Sequence, residues 1–188
     1  GASQKNSTMK KNILIFGSIL GIILATHTVY MMNLVVENSN MKTNDVVGYV
    51  AMVVVFSLTF FGIRNYRNKY LGGYISLGHA FKTGALIALL GSTIYVVVGL
   101  SYLYFVAPEF LDKYTECVLN MESRSGATPA ELEAKAQELA QFKELYRNPL
   151  FGILIAYAEV LPIGLVVAFF SSLILKRKSP ITVESSTR

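Results

Sequence analysis

One cysteine and two histidines are all that this chain of 188 residues offers a disulfide or a metal ion. A lone cysteine, Cys117, excludes an intramolecular bridge. His27, His79 and Cys117 stand on different segments, so a conventional zinc site is excluded unless a further donor such as Glu159 joins them. Charge is scarce too, at 15% of residues. Catalytic signatures are missing: there is no Walker loop and no Gly-x-Gly-x-x-Gly, and "GGYISLG" spaces its serine wrongly for a nucleophile elbow. No nucleophile comes with a base, so neither an enzyme nor a cofactor or metal is expected. An inverted repeat of the kind that builds larger transporters is also absent.

Apolar sequence takes the place of charge. Hydrophobic residues make up 53% of the chain and the mean hydropathy is +0.46, which places it in the membrane class. A spanning helix needs about 20 mostly apolar residues. Four runs qualify: Ile13 to Val36, Val46 to Ile63, Thr83 to Val106, and Leu150 to Leu175. Met9-Lys10-Lys11 ahead of the first run has the look of a signal-peptide n-region. That run is too long for an h-region and no A-x-A site closes it, so an uncleaved helix is expected. Residues 1–8 read as a tag or flexible extension, 9–178 as the membrane domain, and 179–188 as a flexible tail.

The formal net charge of +5 invites a nucleic-acid reading, but the bases are not pooled on one face. They follow the positive-inside pattern instead. Lys10 and Lys11 precede the first span, Arg64, Arg67, Lys69 and Lys82 join the second to the third, and Lys176, Arg177 and Lys178 follow the fourth. The opposite side carries a short loop and the long segment 107–149, with eight acids and five bases. The pattern predicts an all-α inner-membrane protein with both termini in the cytoplasm and 107–149 in the periplasm. Nucleic acid is not an expected partner. The bilayer is, together with a second copy or another inner-membrane protein.

Segment 107–149 has its own order. Thr128-Pro129-Ala130-Glu131 reads as a capping box with proline at the first helical position. Leu132, Ala136, Leu139 and Tyr146 follow at helical spacing. Upstream, Phe110, Tyr114, Val118 and Met121 mark a second amphipathic run that includes Cys117, so a helical hairpin is predicted. It caps the bundle or docks a partner. On the other side Tyr66, Tyr70, Tyr74 and Phe81 alternate with the bases, as suits headgroup depth, where Arg64, Arg67, Lys69 and Lys82 would meet anionic lipid. Gly72-Gly73 breaks the chain, and Ser76 is placed to cap the third helix.

Small residues mark packing faces: Gly17, Gly21 and Ala25 at four-residue spacing, then Gly84, Ala88, Gly91 and Ser92, then Gly152 and Ala156. Intramolecular use is expected, with dimerisation as the alternative. The feature least at home in lipid is Glu159. Nine residues from Leu150, at ~1.5 Å per residue, put it ~13 Å below the outer boundary. His27 falls at the same depth, Tyr95 about one turn deeper or less, and Ser57 and Thr59 near or below them. A charge there is costly, so Glu159 should face the bundle interior and take a proton or a partner. Pro162 leaves a carbonyl near Ala158 without its donor and can kink the helix beside the acid.

"GIRNYRNKYLGGYISLGHAFKTG", "AQFKELYRNPLF" and "YAEVLPIGLVVAFFSSLILKRK" together resemble the family called domain of unknown function 4199. The resemblance runs from Met9 to Lys178. It implies a small four-helix inner-membrane protein of the kind found mainly in Bacteroidota, and it implies no activity. Histidine at position 79 departs from the basic residue that the family commonly carries nearby. The reading from the residues is a non-enzymatic accessory or scaffold subunit. The alternative is a small proton-coupled transporter or channel component built on Glu159 and His27.

Overall fold

The computed structural model describes residues 2–38 and 45–178, and every named element within them is helical. In chain order these are α1 (Ala2–Glu37), α2 (Asp45–Phe56), α3 (Leu58–Tyr70), α4 (Leu77–Ser101), α5 (Phe110–Arg124), α6 (Pro129–Tyr146) and α7 (Pro149–Leu175). A π-helical turn, Tyr102–Val106, extends α4. Four stretches are long and apolar enough to cross a membrane: Asn6–Glu37, Val46–Tyr70, Leu77–Val106 and Pro149–Leu175.

The first three spans are longer than their apolar runs. α1 starts at Ala2, so residues 2–8 continue the helix instead of forming a loose extension. The second reaches Tyr70, and the third starts at Leu77 behind Ser76, whose hydroxyl accepts the His79 N–H at 3.3 Å. Hydropathy sees only the hydrocarbon-length core of a helix, whereas the hydrogen-bonded ladder propagates into polar sequence until something caps it. The expected tail, 179–188, lies outside the described residues.

The second span is two helices, where the sequence reading has one. At Ser57 the backbone tightens. Its N–H is shared between the Val53 and Val54 carbonyls at 3.0 and 3.2 Å, its hydroxyl donates back to Val54 at 2.5 Å, and the Phe60 N–H reaches only three residues back, at 3.0 Å. A serine that bonds its own helix competes with the regular ladder and bends it.

α4 is the central helix, packed on α1 along one side and on α7 along the other. The small-residue faces meet inside this chain. A Cβ at Gly21 would stand 2.6 Å from Ile94 Cβ, and one at Gly17 2.7 Å from a Leu90 methyl. Gly91 takes Leu20, while Gly84 faces Ile63 and Ala168. Small residues therefore let the α1, α4 and α7 backbones approach one another, as close packing in lipid requires.

The end of the bundle where α1 starts and α7 stops is closed. Ile63, Tyr66, Ile75, Ala80 and Leu175 form one buried cluster there. Asn12, only 1% exposed, donates to the Gly62 carbonyl at 3.0 Å and accepts from Asn65 Nδ2 at 2.8 Å, tying α1 to α3. Gly72 and Gly73 turn the chain at φ +64 and +89, and Ile75 then exchanges two backbone hydrogen bonds with Arg177, at 3.0 and 2.9 Å.

At the other end α5 and α6 form the expected hairpin, and the capping box is complete: Glu131 N–H reaches the Thr128 hydroxyl and Thr128 N–H reaches the Glu131 carboxylate at 2.7 Å. The Thr128 N–H and then its hydroxyl hold the Glu131 carboxyl below its usual range. A lowered folded value means that this bond adds stability above the ordinary carboxylate range and loses it as pH falls through the folded value. Thr128→Ala should cost about 1 kcal/mol, read as roughly fivefold faster amide exchange in the first turn of α6 at neutral pH. The difference should shrink in acid.

Candidate functional site

The hairpin closes over the bundle through side chains of the third span and of α6. Tyr104, in the π-helical turn, donates to the Tyr146 carbonyl at 2.7 Å, while Tyr102 donates to the Asn33 side chain and so ties the third span to α1. Met32, Leu103 and Tyr146 are buried together at the contact. Gly152 makes room for it, since a Cβ there would stand 2.7 Å from the Tyr104 hydroxyl.

Beneath the hairpin lies a cavity of about 560 Å3. α1, α2, α4, α5, α6 and α7 all contribute to its wall, which is mostly aliphatic and methionine. Glu159, His27 and Tyr95 all line it. Tyr95 hydrogen-bonds the Thr28 side chain and lies within electrostatic reach of Glu159. Tyr146 lies within reach of Glu159 as well. Burial first, and that charge second, push the Tyr146 phenol up.

The expected setting of Glu159 needs one correction. Its depth suggests packing among interior side chains, whereas the residue is exposed. It stands beside the buried α7 stripe of Gly152, Ala156 and Val160, one position off the packed face, and so borders the cavity. His27 is exposed on the same cavity. A carboxylate that borders open space keeps room for water or a ligand, which lowers the cost of its charge.

The other selected residues divide. Ser57 spends its hydroxyl on α2, and Thr59 is fully buried against Gly84, so neither joins the polar layer. α7 stays helical through Pro162, and the local break in the spans falls at Ser57 instead. Two residues beyond the proline, Gly164 receives the Phe56 ring: a Cβ there would stand 2.5 Å from it. Arg64, Lys69 and Lys82 are exposed around the closed end, in keeping with headgroup contact. Arg67 differs. Its guanidinium donates to the Leu175 carbonyl at 3.1 Å and satisfies the last turn of α7, so it holds α3 to α7. Cys117 is buried in α5, and burial pushes its thiol up, which makes it a poor nucleophile.

Reading the sequence passed over several residues that matter here. Asn12 stands at the edge of an apolar run and carries no motif. Tyr104 and Tyr157 look like ordinary span aromatics, yet Tyr157 donates to Thr93 at 2.7 Å and joins α7 to α4. Tyr114 and Tyr146 were legible as part of an amphipathic face, though not as walls of a cavity.

Chemically the cavity offers one carboxyl, one imidazole and several phenols in apolar surroundings. It can hold a proton or a compact polar group. No curated protein and no solved structure matches the chain. A family model does, over residues 15–177, under the description "Protein of unknown function (DUF4199)". The hairpin, the cavity and all of the spans except the start of the first fall within that match, and the chain belongs to this family of proteins of unknown function.

Proposed function

We propose that the chain is a non-enzymatic protein of the bacterial inner membrane that serves as an accessory subunit of a membrane assembly, holding a proton or a small ligand in the hairpin-capped cavity. Both termini lie in the cytoplasm and the α5–α6 hairpin in the periplasm. The charge pattern supports this orientation, because Lys10, Lys11, Arg64, Lys69, Lys82 and the Lys176–Lys178 cluster all belong to the closed end of the bundle. The observation that carries the reading is the asymmetry of the bundle: a cavity under the hairpin and a packed cluster at the other end. Such a shape seats something without conducting it. Since the small-residue faces are used inside the chain, a partner or a second copy would dock on the hairpin or on the lipid-facing surface.

Two measurements test this. Detergent pull-down with mass spectrometry should return a stoichiometric membrane partner or an oligomer, and a clean monomer with no partner would count against the reading. For orientation, with Cys117 replaced by alanine, Ser125→Cys should react with an impermeant maleimide added from the periplasm. Lys178→Cys should stay unlabelled until the membrane is broken, and the reverse pattern would overturn the topology.

A second reading, a small proton-coupled transporter or channel component, draws on the presence of Glu159 and His27 on one cavity. It requires flux in reconstituted vesicles that Glu159→Gln abolishes, because glutamine keeps the size of the side chain but cannot titrate.

A further inference from the structure

The outward side of α1 is not uniformly apolar. Ile15, Ile19, Ile22, Thr26, Val29 and Asn33 follow one another at alternating intervals of four and three residues, the spacing of a helix seam. The three isoleucines, Thr26 and Asn33 are exposed, and Val29 is half-buried. The half of the seam nearer the hairpin forms one wall of an open groove of about 530 Å3, with Tyr30 beside it and Ile94 and Val98 contributed by α4.

Hydroxyls in that groove are left without partners. Counted back from Val36 (36 − 26 = 10), Thr26 lies ~15 Å inside the apolar run, near the middle of a bilayer core. Thr83, Thr93 and Thr115 each donate to the carbonyl one turn back, at 2.8 Å. Among the described residues Thr26 makes no such bond, and the hydroxyl of Tyr30, a side chain on the lipid side of the helix, has no partner either. Asn33 accepts from Tyr102, which leaves its amide N–H groups to donate. Lipid chains offer these groups nothing to bond.

We propose that the groove is filled by α1 of a second copy, the two α1 helices running parallel about a two-fold axis along the membrane normal. Copies inserted the same way present α1 in the same direction, so a seam along the helix meets itself level by level. Thr26, Tyr30 and Asn33 each carry both a donor and an acceptor, so identical residues can bond across the axis. No charged side chain lines the groove among the described residues, and Lys11 and Glu37 stand toward the ends of the span. β-Branched residues suit the seam of a parallel helix pair, and a polar residue within it fixes the register. An acyl chain would cover the aliphatic part and leave the hydroxyls unbonded. The inference requires that α1 span a membrane and does not depend on the accessory role.

The test reads association within the membrane, on the full chain with Cys117 replaced by alanine. Ile22→Cys and Thr26→Cys should form disulfide-linked dimers when native membranes are oxidised with copper phenanthroline. Ile23→Cys on the flank of α1 and Val166→Cys on α7, both equally open to lipid, should not. Equal yields at all four positions would mean random collision and overturn the proposal. Thr26→Val combined with Tyr30→Phe removes two hydroxyls and keeps the shape of both side chains. Energy transfer between labelled copies in lipid vesicles should then show a dimer dissociation constant raised about tenfold. An unchanged constant, or wild type that stays monomeric at every lipid-to-protein ratio, would overturn the polar seam. Seam cysteines that cross-link to a different protein would overturn the second copy as occupant and leave the accessory reading standing.

Discussion

Gly21→Ala should destabilise the bundle by about 2 kcal/mol, although it adds a single methyl and improves helix propensity. The added carbon would stand 2.6 Å from Ile94 Cβ and 3.1 Å from its Cγ1. Neither atom is the free end of a flexible chain. Ile94 Cβ is fixed to the α4 backbone, and β-branched side chains have little rotamer freedom in a helix. Relief therefore requires α1 and α4 to separate along the most extensive interface in the molecule. Melting followed by circular dichroism in detergent checks this, and two companions sharpen it. Ile94→Ala in the Gly21→Ala background should recover part of the loss, as a coupled pair does. Gly48→Ala should be neutral or gain up to about 1 kcal/mol, because nothing lies within 4 Å of a Cβ there. Equal melting of Gly21→Ala and wild type would mean that the two helices do not pack in this register.

Substitution of Asn12 should have an effect of similar size by a different mechanism. Asn12 is the hinge of a three-member contact: its amide donates to the Gly62 carbonyl and its carbonyl accepts from Asn65. Asn12→Ala leaves a buried acceptor and a donor without their partner, at a cost of about 2 kcal/mol. Asn12→Asp is isosteric and should be worse near neutral pH. A carboxylate still accepts from Asn65, but its second oxygen opposes the Gly62 carbonyl, and a new charge is buried without a cation. Protonation restores a donor, so the aspartate variant should melt higher at about pH 4 than at about pH 8, while the alanine variant should not share that trend. If aspartate melts like wild type at pH 8, the side chain faces water and the α1–α3 tie is wrong.

Much of the fold was legible because it follows from one-dimensional physics. Bilayer thickness converts a run of apolar residues into a span, and the four runs became four spans. Thr128, Pro129 and Glu131 announced the start of α6 because capping is settled within four residues. Counting from span ends also placed Glu159, His27 and Tyr95 at comparable depths, since rise per residue is constant in a helix.

What sequence alone could not supply was rotation about each helix axis and the identity of each neighbour. In a soluble helix an apolar stripe marks the inner face, but lipid is as apolar as a protein core, and spans such as α7 are apolar all round. Only packing decided that Gly21 meets Ile94, that Arg67 serves the end of α7, and that Asn12 finds Gly62 and Asn65 some fifty residues away. It also set Glu159 one position off the buried stripe of α7, bordering the cavity instead of within the packed core. Hydropathy is a property of depth alone, whereas contact between helices depends on shape at the interface, and that exists only once the helices have come together.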